Sequence, residues 1–197
     1  MLFITSQSDH VSMYKHIKQT FQSEYKGRSD EYKSRIIKWN AEPPIIRVSK
    51  PTNIARAREL GYKAKEGVMM VRVVVKGGTR KRKQAGGGRK PSKSGRYFAF
   101  TKSSQSIAEE RASRKFTNFE ALNSYFVGAA GSRKFYEVIM LDRNHPAIIS
   151  DPQYSVVASQ HGRAFRGMTS SGRRHRGIIR KRYGSHSMRP SKNRLTS

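Results

Sequence analysis

The chain has 197 residues, 41 of them Lys or Arg against 13 Asp or Glu, for a formal charge of +28, and it contains no cysteine. Such an imbalance points to a polyanionic partner, and the missing cysteine excludes a disulfide scaffold and every cysteine-based zinc site. With 35% apolar residues the composition fits a modest core with charged appendages. No apolar run approaches the roughly 20 residues needed to span a bilayer, and the opening MLFIT lacks the basic flank and length of a signal peptide.

In chain order, Met13, Ile17, Phe21 and Tyr25 recur at i, i+4 spacing and predict a first helix. After Gly27 and Ser29, the residues Tyr32, Ile36 and Trp39 predict a second, which Pro43 and Pro44 should end. IIRVS (45–49) reads as a strand, and Thr52 as the cap of a short helix that stops at Gly61. VMMVRVVV (68–75), bounded by glycines, is the strongest strand signal. Ser106-Ile-Ala-Glu109 has capping-box spacing and predicts a helix to about Lys115; Thr117-Asn-Phe-Glu120 repeats it and predicts a further turn or two. NSYFV and KFYEVIML flank Gly128-Ala-Ala-Gly131-Ser as a hairpin with a five-residue loop. The order predicts an α+β fold: a small mixed, largely antiparallel sheet in a β-α-β-α-β-β core, with N-terminal helices and long basic extensions. The divisions expected are a helical segment at 1–42, a core at 43–150 carrying a basic loop at 76–96, and a basic C-terminal extension at 151–197.

Charge is uneven along the chain. The stretch from Lys76 to Arg96 holds nine Lys or Arg, six glycines and no acid, and Pro152–Ser197 holds eleven Lys or Arg and no acid. Neither is expected to fold before a polyanion orders it. No enzyme signature stands beside them: AGGGRK lacks the rest of a phosphate-binding loop. None of the six histidines pairs at i+3 or i+4, so no metal site is expected. The adjacent Glu109 and Glu110 point about 100° apart on a helix, which favours an ion pair between Glu110 and Arg114 over an acid–base dyad. DRNHPAI (142–148) has the composition of a turn, leaving His145 without a catalytic setting. Single-signed, glycine-rich runs suit phosphate contact, and Phe165 and Tyr183 are open to either stacking on unpaired bases or packing against the core. By composition alone, structured RNA and DNA are both open as partners; neither basic segment has the apolar face of a membrane-surface helix.

The residues themselves go further. KWNAEPPIIRV (38–48), SKPTNIARARELGYKAKEG (49–67), SIAEERASRKFTNFEALNSYFVG (106–128), YEVIMLDRNHPAI (136–148) and FRGMTSSGRRHRGI (165–178) occur in this order. Together they resemble the archaeal and eukaryotic large-subunit ribosomal protein fifteen-e family over most of residues 32–182. MLFITSQSDHV precedes where that family begins its first helix, the 76–96 stretch shares its basic character more than its residues, and the resemblance fades beyond Tyr183. It implies a structural, non-catalytic protein of the cytoplasmic ribosome. Its partners would be large-subunit rRNA and neighbouring ribosomal proteins, with no membrane, cofactor, metal or small-molecule substrate. The expected RNA contacts are Arg56, Arg58, Lys63 and Lys65 around the short helix, and Lys76, Arg80, Lys81, Arg82, Lys83, Arg89, Lys90, Lys93 and Arg96 in the loop. Arg111, Arg114 and Lys115 follow on the next helix. Arg163, Arg166, Arg173, Arg174, Arg176, Arg180, Lys181 and Arg182 complete the set in the tail.

Overall fold

The computed structural model describes residues 13–78, 86–88 and 102–176. Helix α1 (Met13–Gly27) presents the predicted stripe, and Phe21 and Tyr25 pack on the core from outside. Helix α2 (Asp30–Ala41) starts where the Ser29 side chain accepts from the Tyr32 N–H at 3.3 Å, with Asp30 and Glu31 in the first turn, where the helix dipole favours negative charge. It buries Tyr32, Ile36 and Trp39.

Strands β1 (Ile45–Val48), β2 (Val68–Lys76), β3 (Phe119–Ala130) and β4 (Arg133–Asp142) form one sheet in the order β1-β2-β4-β3, every neighbouring pair antiparallel. Helix α3 (Ile54–Glu59) links β1 to β2, and α4 (Ser104–Lys115) precedes β3, so the predicted core order is the observed one. Strand β2 is apolar on consecutive positions because the sheet is covered on both sides. Met69, Val71, Val73 and Val75 join Tyr136, Val138 and Met140 beneath Ala108 and Ala112 of α4. Met70 joins Phe135, Ile139, Tyr125 and Val127 beneath α2 and Ala57 of α3.

Several boundaries differ from expectation. Asn53, not Thr52, caps α3, accepting from the Arg56 N–H at 2.9 Å; Thr52 instead gives its N–H and hydroxyl to the Glu137 carboxylate. Helix α4 is capped by Ser103, two to three residues earlier than the apparent capping box, because Ser106 and Glu109 are both turned into the protein. Thr117–Glu120 forms no helix: Thr117 and Asn118 make a turn, and Phe119 and Glu120 open β3. Strand pairing runs to Ala130↔Arg133, so the hairpin loop is the two residues Gly131 and Ser132, with Gly131 at φ 53°.

The largest departure concerns the acid-free C-terminal stretch. Residues up to Arg176 fold against the sheet as α5 (Pro146–Ile149), α6 (Pro152–Ala158), α7 (Arg163–Arg166) and α8 (Ser170–His175). Ile148, Tyr154 and Ala158 bury against Leu141, and Ala164 enters the core beneath α4. The physical reason is that the acids serving this stretch lie upstream of it, as described next.

Candidate nucleic-acid interface

Three glutamates are buried in this basic protein: Glu109, Glu120 and Glu137. Each accepts from hydroxyl or backbone N–H groups. Glu109 accepts from Ser124, and from the Thr169 and Ser171 hydroxyls at 2.6 Å each. Glu120 accepts the Gly162 N–H at 2.8 Å and the Arg163 N–H at 3.2 Å, satisfying the otherwise unpaired donors that open α7. Glu137 holds Thr52 and the Tyr125 hydroxyl, which burial and that neighbouring carboxylate keep protonated far above its ordinary range. Thus α7 and α8 are fastened to α4 and β3, and the loop before α3 to β4.

The fastening sets where the cations stand. Arg114 at the end of α4, Arg166 on α7, and Arg173 and Arg174 on α8 are exposed, and these helices pack together on one side of the sheet. None of the four has an acidic partner among the described residues. Arg114 lies over the Phe165 ring at 6.0 Å, and that ring is 43% exposed. Arg176 turns back instead, donating to the carbonyls of Phe165 (3.0 Å) and Arg166.

Other expected contacts are engaged inside the protein. Arg56 pairs with Glu59 at 2.6 Å, and Arg58 donates to the Tyr14 hydroxyl. Lys63 and Lys65 meet Asp151 at 3.2 and 2.9 Å, and Lys65 also donates to the Ala147 carbonyl. The Lys65 hydrogen bond is the main cause that holds the Asp151 carboxyl down at about 2. Arg111 and Lys115 donate to the carbonyls of Val74 (3.0 Å) and Ile45 (2.8 Å), tying α4 to the sheet. Arg163 is buried; its Nε and one terminal nitrogen have no hydrogen-bond partner, and burial pushes its pKa down against the pull of Glu120 and Glu109. Glu110 pairs with Lys102 at 2.6 Å rather than with Arg114. His145 caps α5 through its ring nitrogen, so the DRNHPAI stretch is a turn running into a short helix.

Lys76 is exposed at the end of β2, opposite Arg133 and beside exposed Lys134, where the basic loop leaves the sheet. Arg80, Lys81, Arg82, Lys83, Arg89, Lys90, Lys93 and Arg96, and likewise Arg180, Lys181 and Arg182, lie outside the described residues. Sequence reading missed the fastening glutamates, and it missed Arg133 and Lys134 at the root of the loop. Among the described residues no group of His, Asp or Glu has a metal-binding arrangement, and no helix is long and apolar enough to cross a membrane.

A family model described as Ribosomal L15, of the fifteen-e type, matches residues 12–195. The chain belongs to that family. The match takes in the loop at 76–96 and continues past Tyr183, where the resemblance in the sequence had faded. The family is structural and non-catalytic, and membership makes the chain a structural ribosomal protein of the large subunit, a ribonucleoprotein component of translation that associates with rRNA and other ribosomal proteins in the ribosome. Within this member of the fifteen-e family, the α4–α7–α8 arginines form the candidate interface.

Proposed function

We propose that this fifteen-e protein binds and stabilises large-subunit rRNA of the cytoplasmic ribosome through two basic elements. One is the loop at 76–96, entered past Lys76, Arg133 and Lys134; the other is the C-terminal region from α7 onward. The observation that carries the reading is the set Arg114, Arg166, Arg173 and Arg174, exposed on one side of the sheet and without acidic partners among the described residues. Guanidinium groups in that condition suit bidentate contact with phosphate, and Phe165 beside them suits stacking on an unpaired base.

The test is binding of the full chain to large-subunit rRNA over a range of salt concentrations. If loop and tail together neutralise about ten phosphates, log affinity falls against log salt with a slope near −7 to −9. Replacing the four arginines by alanine should flatten that slope by about 3, at 0.7–0.9 per phosphate contact. An unchanged slope would remove these four from the interface. Sedimentation with nucleoid DNA in place of the large subunit would overturn the reading as a whole.

A further inference from the structure

Between α3, the first turn of α4, the outer edge of β3 and the start of α8 lies a cleft of about 280 Å³. That is near the lower end, roughly 300 Å³, of sites for small organic ligands. Its floor is rigid, because Ser124 and Ser171 both donate to the buried Glu109 carboxylate. Gln105 and Asn123 bring side-chain amides to it. The Gln105 amide nitrogen donates to the Ser124 carbonyl (2.8 Å) and hydroxyl (3.0 Å), leaving its oxygen without a partner among the described residues. The Asn123 oxygen accepts from the Ser124 N–H at 2.9 Å, leaving its amide nitrogen without a partner among the described residues. These two amides therefore offer the cleft one acceptor and one twofold donor. Arg174, which makes no hydrogen bond to another described residue, and Arg56, which gives one terminal nitrogen to Glu59, also line it.

An acceptor oxygen beside a donor is poor chemistry for a lone anion, which would use only donors. It suits a planar edge carrying both N–H and acceptor groups, and guanidinium groups on either side suit the phosphates flanking such an edge. Resting on the rRNA-binding reading above, we propose that this cleft takes a single unstacked base of the bound RNA. Gln105 and Asn123 meet its hydrogen-bonding edge, while Arg174 and Arg56 hold the phosphates on its two sides. A base splayed from its strand is the form in which proteins read single-stranded RNA, and β3 stands at the edge of the sheet formed by the described residues.

The experiment compares the full chain with two variants, each bound to large-subunit rRNA and probed with reagents that modify unpaired base edges. Ser170→Trp fills the cleft from its exposed rim and removes no arginine and no buried hydrogen bond. Wild type should protect one base that Ser170→Trp leaves reactive, and affinity should fall about 5- to 150-fold, the range of one good base-edge contact. Arg174→Ala serves if tryptophan disturbs α8: it should weaken protection of that same base and flatten the salt slope by about 0.7–0.9. Protection identical to wild type in Ser170→Trp, or in Arg174→Ala where the first variant unfolds, overturns the cleft proposal and leaves rRNA binding intact. Failure of the wild-type chain to bind the rRNA at all overturns both.

Discussion

Replacing Glu109 by glutamine tests whether the interface is assembled by an upstream acid. Its carboxylate accepts from three buried hydroxyls, those of Ser124, Thr169 and Ser171, and so joins α4 to both β3 and α8. Hydrogen bonds to a charged group contribute about 1.5–3 kcal/mol and neutral ones about 0.5–1.5, so each of the three weakens by about 1 kcal/mol. The sum of about 3 kcal/mol is partly offset because an amide costs less to bury than a carboxylate, leaving a net loss of about 2 kcal/mol. For a chain of this length that lowers the melting midpoint by about 4–8 °C. Melting followed by circular dichroism gives the midpoint, and hydrogen exchange read by mass spectrometry locates the effect. Amides of 163–175 should exchange faster while the β2–β4 ladder stays protected. Asp30→Asn is the control, because the Asp30–Lys33 pair at 2.9 Å is exposed and should contribute less than about 1 kcal/mol. An unchanged midpoint with unchanged exchange at 163–175 would refute the fastening role, as would a gain in stability.

Two further outcomes are expected. Asp151 has its folded pKa lowered to about 2 from 3.8, chiefly by Lys65, so its contribution is present above pH 4 and lost as pH falls from about 4 towards 2. Acid titration of stability should show that step in the wild type and not in Asp151→Asn; equal titration curves would count against the Lys63–Asp151–Lys65 cluster as its source. Gly67 sits at φ +78°, and a Cβ there would lie 2.6 Å from Ile148 Cγ1 and 3.0 Å from His145 Cβ. Gly67→Ala should therefore cost about 2–4 kcal/mol in denaturant unfolding. Gly78→Ala, where nothing lies within 4 Å, should stay within about 0.5 kcal/mol of wild type.

What was readable in the sequence followed from local pattern. Helices α1 and α2 and strands β1 and β2 carry their periodicity or β-branched residues within a few positions, and glycine or proline marks their ends. Where the decisive partner is distant, local signals misled. Thr117-Asn-Phe-Glu120 has the spelling of a capping box, but the Glu120 carboxylate serves α7, 42 residues away at Gly162. Ser106 reads as the cap of α4, but Ser106 and Glu109 are buried and Ser103 caps the helix. Helices α5–α8 have four to seven residues each, too few to establish a 3.6-residue period. Pro146 and Pro152 do mark the starts of α5 and α6, each at the first turn behind a side-chain cap. For the interface, net charge was legible, but the choice of free cations was not. Lys65 is occupied by Asp151 86 residues on, and Lys115 by the Ile45 carbonyl 70 residues back.

The way the acids are used explains how so basic a chain folds and still keeps arginines for a partner. If Glu109, Glu120 and Glu137 each took an arginine, the interior would remove cations from the surface. Glu109 and Glu137 take hydroxyls, with one backbone N–H to Glu137, and Glu120 takes two backbone N–H groups and the His161 ring. These donors carry no formal charge apart from His161 when protonated, so the carboxylates hold α7 and α8 in place without drawing in Arg166, Arg173 or Arg174. Arg173 and Arg174 gain instead from the negative end of α8, in whose last turn they lie. Their mutual repulsion remains, and a phosphate chain relieves it. The same geometry that fixes the C-terminal helices thus leaves Arg166, Arg173 and Arg174 on the outside without acidic partners among the described residues, as the proposed RNA contact requires.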